Sequence, residues 1–251
     1  MAQRLGTLLV TGGSRGIGAA ICRLAAKEGY AVAVNYHSHE EAASKLVAEI
    51  RQTGGRGAAI QADIGREADI LQLFQSAEQQ LGPLVALVNN AAITGGFARV
   101  DSVKAAMLER LFAVNVTGAI LCAREAVRRL STAHGGRGGA IVSISSRAAK
   151  LGSSGEWVHY AMSKGAIDSL TVGLAREVAE EGIRVNAVAP GLVETDIHEE
   201  AGDPGRAARL ASTIPLGRAG TPEEIAAGVI WLLSPAASYV TGAILEMGGG
   251  R

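Results

Sequence analysis

The chain contains the stretch Thr7-Leu8-Leu9-Val10-Thr11-Gly12-Gly13-Ser14-Arg15-Gly16-Ile17-Gly18, in which a short apolar run leads directly into a glycine-rich turn. The residues after it, from Ala19 to Leu24, have the apolar spacing of a helix. In this order, a strand, a turn and a helix N-terminus let backbone N–H groups approach a pyrophosphate. The glycine spacing is G-x-x-x-G-x-G rather than G-x-G-x-x-G. The stretch therefore predicts a nucleotide-binding turn in an α/β sheet, the alternative being a turn that only packs a helix on the sheet.

Short β-type runs alternate with helical stretches along the rest of the chain. We expect strands at 7–10, 31–35, 58–61, 84–88, 140–144, 184–189 and 243–246. Strands separated by helices form right-handed βαβ units, so the fold class is α/β with a doubly wound, seven-stranded parallel sheet and helices on both faces. Because no Pro-rich or charged linker divides the 251 residues, a single domain over 1–251 is expected.

Two helix starts are legible. Ser38-His39-Glu40-Glu41 has the spacing of a capping box, and Thr221-Pro222-Glu223-Glu224 adds proline at the first helical position. Residues 191–218 are rich in Gly, Pro and charge and lack strong periodicity. One or two short helices and a substrate lid are expected in this segment.

Composition argues against several classes of function. Lys and Arg number 24, as do Asp and Glu, so no net charge attracts nucleic acid or an anionic membrane. Nowhere do eighteen apolar residues run uninterrupted, and the N-terminal apolar run is too short for a signal peptide. Cys22 and Cys122 lack C-x-x-C spacing, which favours reduced structural thiols over a redox pair. We expect a soluble, cytoplasmic protein with neither a nucleic-acid nor a membrane partner.

The residues around the turn indicate which nucleotide is bound. A cation such as Arg15 at a helix N-terminus is disfavoured by about 0.3–1 kcal/mol, which favours a bound anion beside it over a solvated surface arginine. After the second strand, Asn35-Tyr36-His37-Ser38 has no acid for a ribose 2′-hydroxyl, and these residues can donate hydrogen bonds to a 2′-phosphate. The alternative for His37 is an exposed turn residue. The sequence therefore predicts NADP(H) in preference to NAD(H).

Polar residues follow two further strands, at the carboxyl edge where a parallel sheet holds its ligands. Asp63 is expected either to accept a hydrogen bond from an adenine amino group or to cap the next turn. Asn89-Asn90-Ala91-Ala92 follows the fourth strand and brings polar groups to the same crevice.

Tyr160 and Lys164 stand one helical turn apart and share a helix face. Lowering a tyrosine pKa from about 10 to about 7 requires roughly 4 kcal/mol. One charge at about 4 Å supplies roughly that, but burial of the phenol acts in the opposite direction. Lys164 alone is therefore marginal, and a second positive charge, such as an oxidised nicotinamide ring, is expected to complete the shift.

With the glycine turn, Asn89-Asn90-Ala91, Tyr160-x-x-x-Lys164 and Pro190-Gly191 in this order, the sequence resembles the short-chain dehydrogenase/reductase family over essentially its whole length. The resemblance implies a Rossmann-like domain that transfers a hydride between a nicotinamide cofactor and a small-molecule carbonyl or alcohol. It also implies a homotetramer or dimer. Two departures affect local packing: Ala92 stands in place of a common glycine, and Glu246 in place of a common aspartate.

The resemblance further implies four catalytic residues: Asn115, Ser146, Tyr160 and Lys164. Asn115, a poor helix-interior residue, fits the family's water-holding role in a proton relay, the alternative being a capping or kinking role. The family's usual spacing from the tyrosine falls on Arg147, and one extra loop residue restores Ser146, with Ser145 as second choice. The motifs and the resemblance together predict cofactor contacts at Gly12, Ser14, Arg15, Gly16, Ile17, Gly18, Asn35, His37, Asp63, Ile64, Asn89, Ala91, Tyr160, Lys164, Pro190, Gly191, Val193 and Thr195.

Three functions fit these residues. The first is an NADP(H)-dependent oxidoreductase acting on a secondary alcohol or ketone, with Tyr160 as general acid and base. The others are a cofactor-binding sensor or scaffold without turnover, and an epimerase or dehydratase that oxidises its substrate transiently. Substrate specificity is expected to lie in residues 93–97, 147–157 and 192–210.

Assembly is predicted from the helix after Tyr160. A row of small residues runs through Ala161, Gly165, Ser169 and Gly173, beside an apolar row at Ile167, Leu170, Leu174 and Val178. If one row covers the sheet and the other packs on a partner subunit, a homotetramer built from two-fold contacts follows. The alternative is that both rows pack within one subunit.

Overall fold

The computed structural model describes residues 5–195 and 201–251. Its centre is a parallel seven-stranded sheet of order β3-β2-β1-β4-β5-β6-β7. The strands are β1 Thr7–Val10, β2 Ala31–Tyr36, β3 Arg56–Gln61, β4 Leu84–Asn89, β5 Gly139–Ile144, β6 Ile183–Pro190 and β7 Ile244–Met247. All seven predicted strands are confirmed, the largest difference being that β3 begins two residues early, at Arg56.

Helices alternate with the strands along the chain. They are α1 Gly16–Lys27, α2 Glu40–Gln52, α3 Glu67–Leu81, α4 Ala105–Phe112, α5 Ala119–Leu130, α6 Ala148–Leu151, α7 Val158–Val178, α8 Arg206–Leu210 and α9 Pro222–Leu233. A π-helical segment, Ala113–Gly118, joins α4 to α5. Short 3-10 turns lie at Val100–Ser102, Thr132–His134, Ala179–Glu181, Ala211–Thr213 and Pro235–Ala237.

The sheet has a core on each face because successive strand residues point to opposite sides. Leu8 and Val10 pack with α1, α2 and α9 on one face. Leu9, between them, packs with α3, α5 and α7 on the other. Between β1 and β4 the order in which successive strands are added to the sheet reverses, and in sheets of this kind the ligand crevice opens at that point, beyond the carboxyl ends of the strands.

The two predicted capping boxes have different outcomes. At α9 the Thr221 hydroxyl accepts from the Glu224 N–H at 3.2 Å, and the Glu224 carboxylate accepts from the Thr221 N–H at 2.8 Å. The box at Ser38 is wrong. The N-cap of α2 is His39, without a side-chain cap bond, so Ser38 lies one residue too early to cap the helix.

Cys22 and Cys122 are both buried and reduced, in separate clusters on opposite faces of the sheet. Burial raises the pKa of the Cys122 thiol to about 12, with the Glu125 charge adding to the effect. The two sulfurs cannot pair across the sheet, so the structural interpretation of these thiols is confirmed.

Helical structure continues from Ala105 to Leu130, and these 26 residues are long and apolar enough to cross a membrane by length and composition. Core helices of globular domains meet the same criterion. In the middle of the stretch from Ala105 to Leu130, the Asn115 side chain bonds to the backbone of Ile93 and to Ser163. The absence of a membrane partner stays a prediction, as does the cytoplasmic location.

In the segment 191–218, the prediction of short helices is confirmed by α8 and by the turn Ala211–Thr213, and the substrate lid stays a prediction. Its first residues are tied to the base of α9, since Gly220 donates to the Leu192 carbonyl at 2.9 Å and accepts from the Glu194 N–H at 3.0 Å. Residues 196–200 of this segment lie outside the described residues.

On α7, the apolar row packs within the subunit: Ile167 and Val178 are buried, and Leu170 and Leu174 are half-buried. The residues of the small row differ in their burial. Ala161 is buried, whereas Ser169 and Gly173 are exposed and Gly165 is half-buried. Side chains added at Gly165 and Gly173 would meet nothing within 4 Å. This part of α7 therefore has room for a partner, and the homotetramer stays a prediction.

Candidate active site

The carboxyl ends of the strands surround a cavity of about 700 Å³. Every residue predicted to bind the cofactor or to act in catalysis lines this cavity, except Asn89 and Asn115. Arg110, which no motif indicated, also lines it, as does Arg206, which the sequence named only within a range. The sequence motifs thus converge on one site.

The glycine turn forms one wall of the cavity. Gly12 has a φ of +59°, and a Cβ there would lie 2.9 Å from the Ala91 Cα. A Cβ on Gly18 would lie 2.4 Å from the Gly12 carbonyl oxygen. Only glycine fits at these two positions, and the N-terminus of α1, without a side-chain cap bond, opens toward the cavity beside them. The turn fits a pyrophosphate.

Asn35 holds the glycine turn in place, which corrects its predicted role. Its Oδ1 accepts from the Gly12 N–H at 3.1 Å, and its Nδ2 is directed at the carbonyl of Ala62, 3.1 Å away. The carbonyls of Tyr36 and Ile60 are also within reach of Nδ2, at 3.3 and 3.4 Å. With its amide donor engaged by the backbone, Asn35 has none left for a 2′-phosphate.

Asn89 also differs from the prediction. It is the last residue of β4, and its Nδ2 donates to the Ala119 carbonyl at 3.0 Å, away from the cavity. Asn90 points to the glycine turn instead, donating to the carbonyls of Thr11 and Gly12 at 2.9 Å each. Because side chains alternate along a strand, moving one residue along the chain changes the face that is reached. Asn90, not Asn89, belongs to the site.

At the end of β2, four residues line the cavity without an acid among them: Tyr36, His37, Ser38 and His39. Arg15 lines it from the N-cap of α1. These residues bring a guanidinium and several hydrogen-bonding groups to the cavity, as a phosphate requires. Arg15 and the residues from 36 to 39 therefore replace Asn35 as the predicted 2′-phosphate contacts.

Asp63 takes part in an ion pair that the sequence did not reveal. Arg110, from α4, holds its carboxylate with two hydrogen bonds of 2.8 and 2.9 Å. Asp63 also accepts from the Gly65 N–H at 2.9 Å, so the turn-capping alternative is confirmed. Burial raises the pKa of Asp63, but the bonds from Arg110 and Gly65 outweigh it and the net pKa is lowered. Asp63 remains ionised beside the predicted adenine site.

Tyr160 and Lys164 enter the cavity from α7 and meet the end of β5. The Ser146 hydroxyl lies close enough to the Tyr160 phenol to lower the phenol pKa. The Lys164 ammonium donates to the Ile144 carbonyl at 2.7 Å. Ser145 turns away from the phenol and donates to Asp168 at 2.5 Å. Of the two candidate serines, Ser146 is the one beside the tyrosine.

Burial dominates the titration of this pair. It raises the pKa of the Tyr160 phenol to about 12, against the hydrogen bond from Ser146. It lowers the pKa of the Lys164 ammonium to about 8, against the attraction of the Asp168 carboxylate. In the protein alone, Lys164 does not bring the phenol near neutrality. This agrees with the expectation that a further positive charge is needed.

Asn115 lies in the π-helical segment between α4 and α5 and does not line the cavity. Its Oδ1 accepts from the Ile93 N–H at 2.9 Å, and its Nδ2 donates to the Ile93 carbonyl at 2.8 Å and to Ser163 at 3.0 Å. Its side chain is thus bonded to the loop after β4 and to α7 within the protein, and the water-holding role stays a prediction.

An aromatic wall, which we define as Phe97, Trp157 and Arg206, lies beside Tyr160, and its members Trp157 and Arg206 line the cavity. Phe97 and Trp157 are stacked with ring centroids 4.6 Å apart. The Arg206 guanidinium lies 4.9 Å from the Trp157 centroid and binds Glu156 through bonds of 2.7 and 2.5 Å. Arg206 comes from α8 and Glu156 from the loop before α7, so this ion pair ties the two segments together. The two residues lie far apart in the sequence, so no local motif indicated this ion pair.

The site and the sheet together define an oxidoreductase of the nicotinamide-binding type, and comparisons with known proteins agree. A family model described as enoyl-(acyl carrier protein) reductase matches residues 12–251. The chain belongs to the short-chain dehydrogenase/reductase family, as its motifs predicted.

Similar proteins support this assignment. The chain is 51% identical over 243 residues to the uncharacterized oxidoreductase YgfF of Escherichia coli (strain K12), covering 97% of this chain and 98% of the relative. It is 37% identical over 244 residues to glucose 1-dehydrogenase 2 of Bacillus subtilis (strain 168), covering 97% and 93%. A short-chain dehydrogenase from Burkholderia cenocepacia J2315, solved in complex with NADP, superposes with a TM-score of 0.91 at 33% identity, covering 100% and 99%.

Proposed function

We propose that the protein is an NADP(H)-dependent oxidoreductase that transfers a hydride between the cofactor and a secondary alcohol or ketone. The observation that carries the proposal is the convergence of Ser146, Tyr160 and Lys164 on the cavity that the glycine turn also lines. A proton donor beside a nucleotide cradle is the arrangement that carbonyl reduction requires.

The residues present fit the cofactor. The turn at Gly12 and Gly18 leaves space that a Cβ would fill, and Pro190, Gly191, Val193 and Thr195 line the cavity near the β5 end for the nicotinamide half. Arg15 and His37 would hold a 2′-phosphate, and Asp63 with Ile64 would border the adenine. When bound, the cofactor supplies or accepts the hydride.

The protein's own residues would handle the proton. Ser146 is placed to hold the substrate oxygen by a hydrogen bond, since its hydroxyl already lies beside the phenol. Tyr160 donates the proton to that oxygen in reduction and removes it in oxidation. Lys164, anchored on the Ile144 carbonyl, contributes positive charge next to the phenol and is expected to bind the nicotinamide ribose.

Two observations support NADP(H) over NAD(H). The residues of 36–39 that line the cavity include no carboxylate for a 2′-hydroxyl, and Arg15 stands beside them. The NADP complex of the Burkholderia relative is consistent with this preference. The segment around α8 is proposed as part of the substrate wall, since Arg206 reaches Trp157 next to Tyr160.

The test is a spectrophotometric panel at 340 nm. Ketones are offered with NADPH and secondary alcohols with NADP, and the same panel is repeated with NADH and NAD. We expect net cofactor turnover with at least one ketone–alcohol pair and a higher kcat/KM with NADP(H). Cofactor binding without net turnover across the panel would support the sensor or the epimerase instead.

A further inference from the structure

Three consecutive residues at the end of β5 each engage a different polar side chain of α7. The Ile144 carbonyl accepts from Lys164 at 2.7 Å. The Ser145 hydroxyl donates to Asp168 at 2.5 Å. The hydroxyl of the third residue, Ser146, lies close enough to the Tyr160 phenol to lower its pKa. The three α7 positions are spaced one turn apart, so they share the helix face that meets the strand end.

Only the middle contact has no part in the proposed chemistry. Asp168 is half-buried and does not line the cavity. Its Ser145 partner also approaches the Lys164 carbonyl at 3.4 Å, so Ser145 meets α7 at both Lys164 and Asp168. A carboxylate that binds a hydroxyl in a partly buried place is a strong anchor, because the bond is charge-assisted.

The charges around Asp168 come from three elements. Lys164 faces it from the same helix, Lys150 from α6 and Glu246 from β7. Glu246 is itself paired with both Lys150 and Arg147, and it acts on the Asp168 pKa in the direction opposite to the two lysines. Lys164 is buried and carries its ammonium into the protein interior. A carboxylate one turn away on the same face offsets the cost of burying that charge.

We propose that Asp168 is a positioning residue for the reaction, which acts through Ser145 to fix the end of β5 on α7 and through its charge to keep Lys164 protonated. This rests on the proposed function. It explains why the two adjacent serines have different roles: Ser145 orients the strand end, and Ser146 faces the substrate. Displacing the strand end would move the Ser146 hydroxyl and the Ile144 carbonyl together, away from Tyr160 and Lys164.

The experiment separates charge from position. Asp168→Asn removes the charge while keeping the size and a hydrogen-bonding group, and Ser145→Ala removes the bond while keeping the charge. Glu177→Gln, the same chemical change at an exposed site on α7, is the control. Lysine 13Cε resonances are titrated in each protein, with Lys164→Met identifying the Lys164 signal. kcat is measured against pH for alcohol oxidation, and the cofactor Kd is measured separately.

We expect Lys164 to titrate near pH 8 in the wild type, and at least about half a unit lower in Asp168→Asn, where the neighbouring charge is gone. The acid limb of alcohol oxidation should move upward in Asp168→Asn only. A shift of one unit is a tenfold change in rate at a fixed pH on that limb. Ser145→Ala should lower kcat roughly tenfold without moving the limb or the cofactor Kd.

An unchanged Lys164 titration and pH profile in Asp168→Asn, with wild-type kcat in Ser145→Ala, would overturn the inference. If Asp168→Asn does not fold, Asp168→Glu provides the test: it should keep the Lys164 titration and lose kcat, and wild-type kcat in both Asp168→Glu and Ser145→Ala would contradict the proposal. The NMR titration needs no turnover. A shifted Lys164 signal in a protein without oxidoreductase activity would therefore contradict the proposed function and leave the charge effect standing.

Discussion

The Nζ atom of Lys164 lies 5.6 Å from the centroid of the Tyr160 ring, and its hydrogen bond goes to the Ile144 carbonyl at 2.7 Å. The ammonium is therefore anchored to the sheet, and the phenol lies near Ser146. Because both groups are buried, the pKa of each is shifted toward its neutral form in the protein alone. Burial of the Lys164 charge lowers the stability of the folded protein, and that charge lies where a bound cofactor and substrate are expected.

This cost predicts a pH-dependent stability. Burial lowers the Lys164 pKa from 10.5 to about 8, so the unfolded chain binds more protons than the folded one between these values. Stability therefore rises with pH across that window and is lowest, for this group, below pH 8. Compared with Lys164→Met, in which no group titrates, the wild type should gain about 1 kcal/mol between pH 7 and pH 9.

Thermal unfolding of both proteins at pH 7 and pH 9 measures this difference. The gain corresponds to about 2–4 °C in Tm for a chain of this size. Lys164→Met should bind cofactor more weakly and lose turnover while unfolding at an equal or higher temperature at pH 7. A Tm difference between the two proteins that is constant from pH 7 to pH 9 would mean that Lys164 titrates as an ordinary surface lysine.

Cofactor preference should depend on Arg15. Arg15→Ala is expected to weaken NADP(H) relative to NAD(H) by roughly 10- to 100-fold, because a hydrogen bond to a charged group contributes about 1.5–3 kcal/mol. The Kd of each cofactor is measured by fluorescence or calorimetry. Lys27→Ala, at the other end of α1, is the matched control and should change neither Kd. Equal weakening of both cofactors by Arg15→Ala would assign the residue to folding of the turn.

The sequence located the site through features of the backbone. The glycine turn, the succession of strands and helices along the chain and the Tyr160–Lys164 spacing are local patterns, and each has the predicted place in the structure. Errors arose where a side chain can bond to more than one partner. Asn35 bonds to Gly12. Asn89 points away from the cavity because a one-residue change along a strand reverses the face.

Contacts between distant segments lay beyond local patterns. Asp63 and Arg110 are 47 residues apart, and Glu156 and Arg206 are 50 residues apart. No local sequence motif indicates an ion pair between residues so far apart, because only the packed fold brings them together. The choice between Ser145 and Ser146 needed the same information, since it depends on which hydroxyl meets α7 at Tyr160.

The ion pair behind the aromatic wall should be more sensitive at Glu156 than at Arg206. The Arg206 side chain is only 9% exposed, so Glu156→Gln leaves a buried guanidinium without its anion, a change that is strongly destabilising for buried pairs. Arg206→Met keeps an apolar side chain against Trp157 and Phe97. We expect a larger rise in the ketone KM and a larger loss of Tm for Glu156→Gln, with the cofactor Kd nearly unchanged in both. The reverse ranking would indicate that Arg206 contacts the substrate itself.

Assembly should respond to a side chain placed on the open face of α7. In one subunit a Cβ at Gly173 meets nothing within 4 Å, so Gly173→Leu should fold, with a gain in helix propensity of up to about 1 kcal/mol. In a tetramer that packs through this face it should clash. Light scattering is expected to give a tetramer for the wild type and a smaller species for the variant. Lys45→Leu on the exposed side of α2 is the control, and a tetramer that survives Gly173→Leu places the interface elsewhere.

The most direct test of the account is NADPH oxidation at 340 nm by the wild type and by Tyr160→Phe, with the best ketone from the panel. The variant keeps the ring in the aromatic surroundings of Trp157 and removes the hydroxyl that carries the proton. We predict a fall in kcat of roughly 10²–10⁴ with NADPH Kd and Tm close to those of the wild type. Turnover within a few-fold of the wild type would contradict the account, because another group would then deliver the proton.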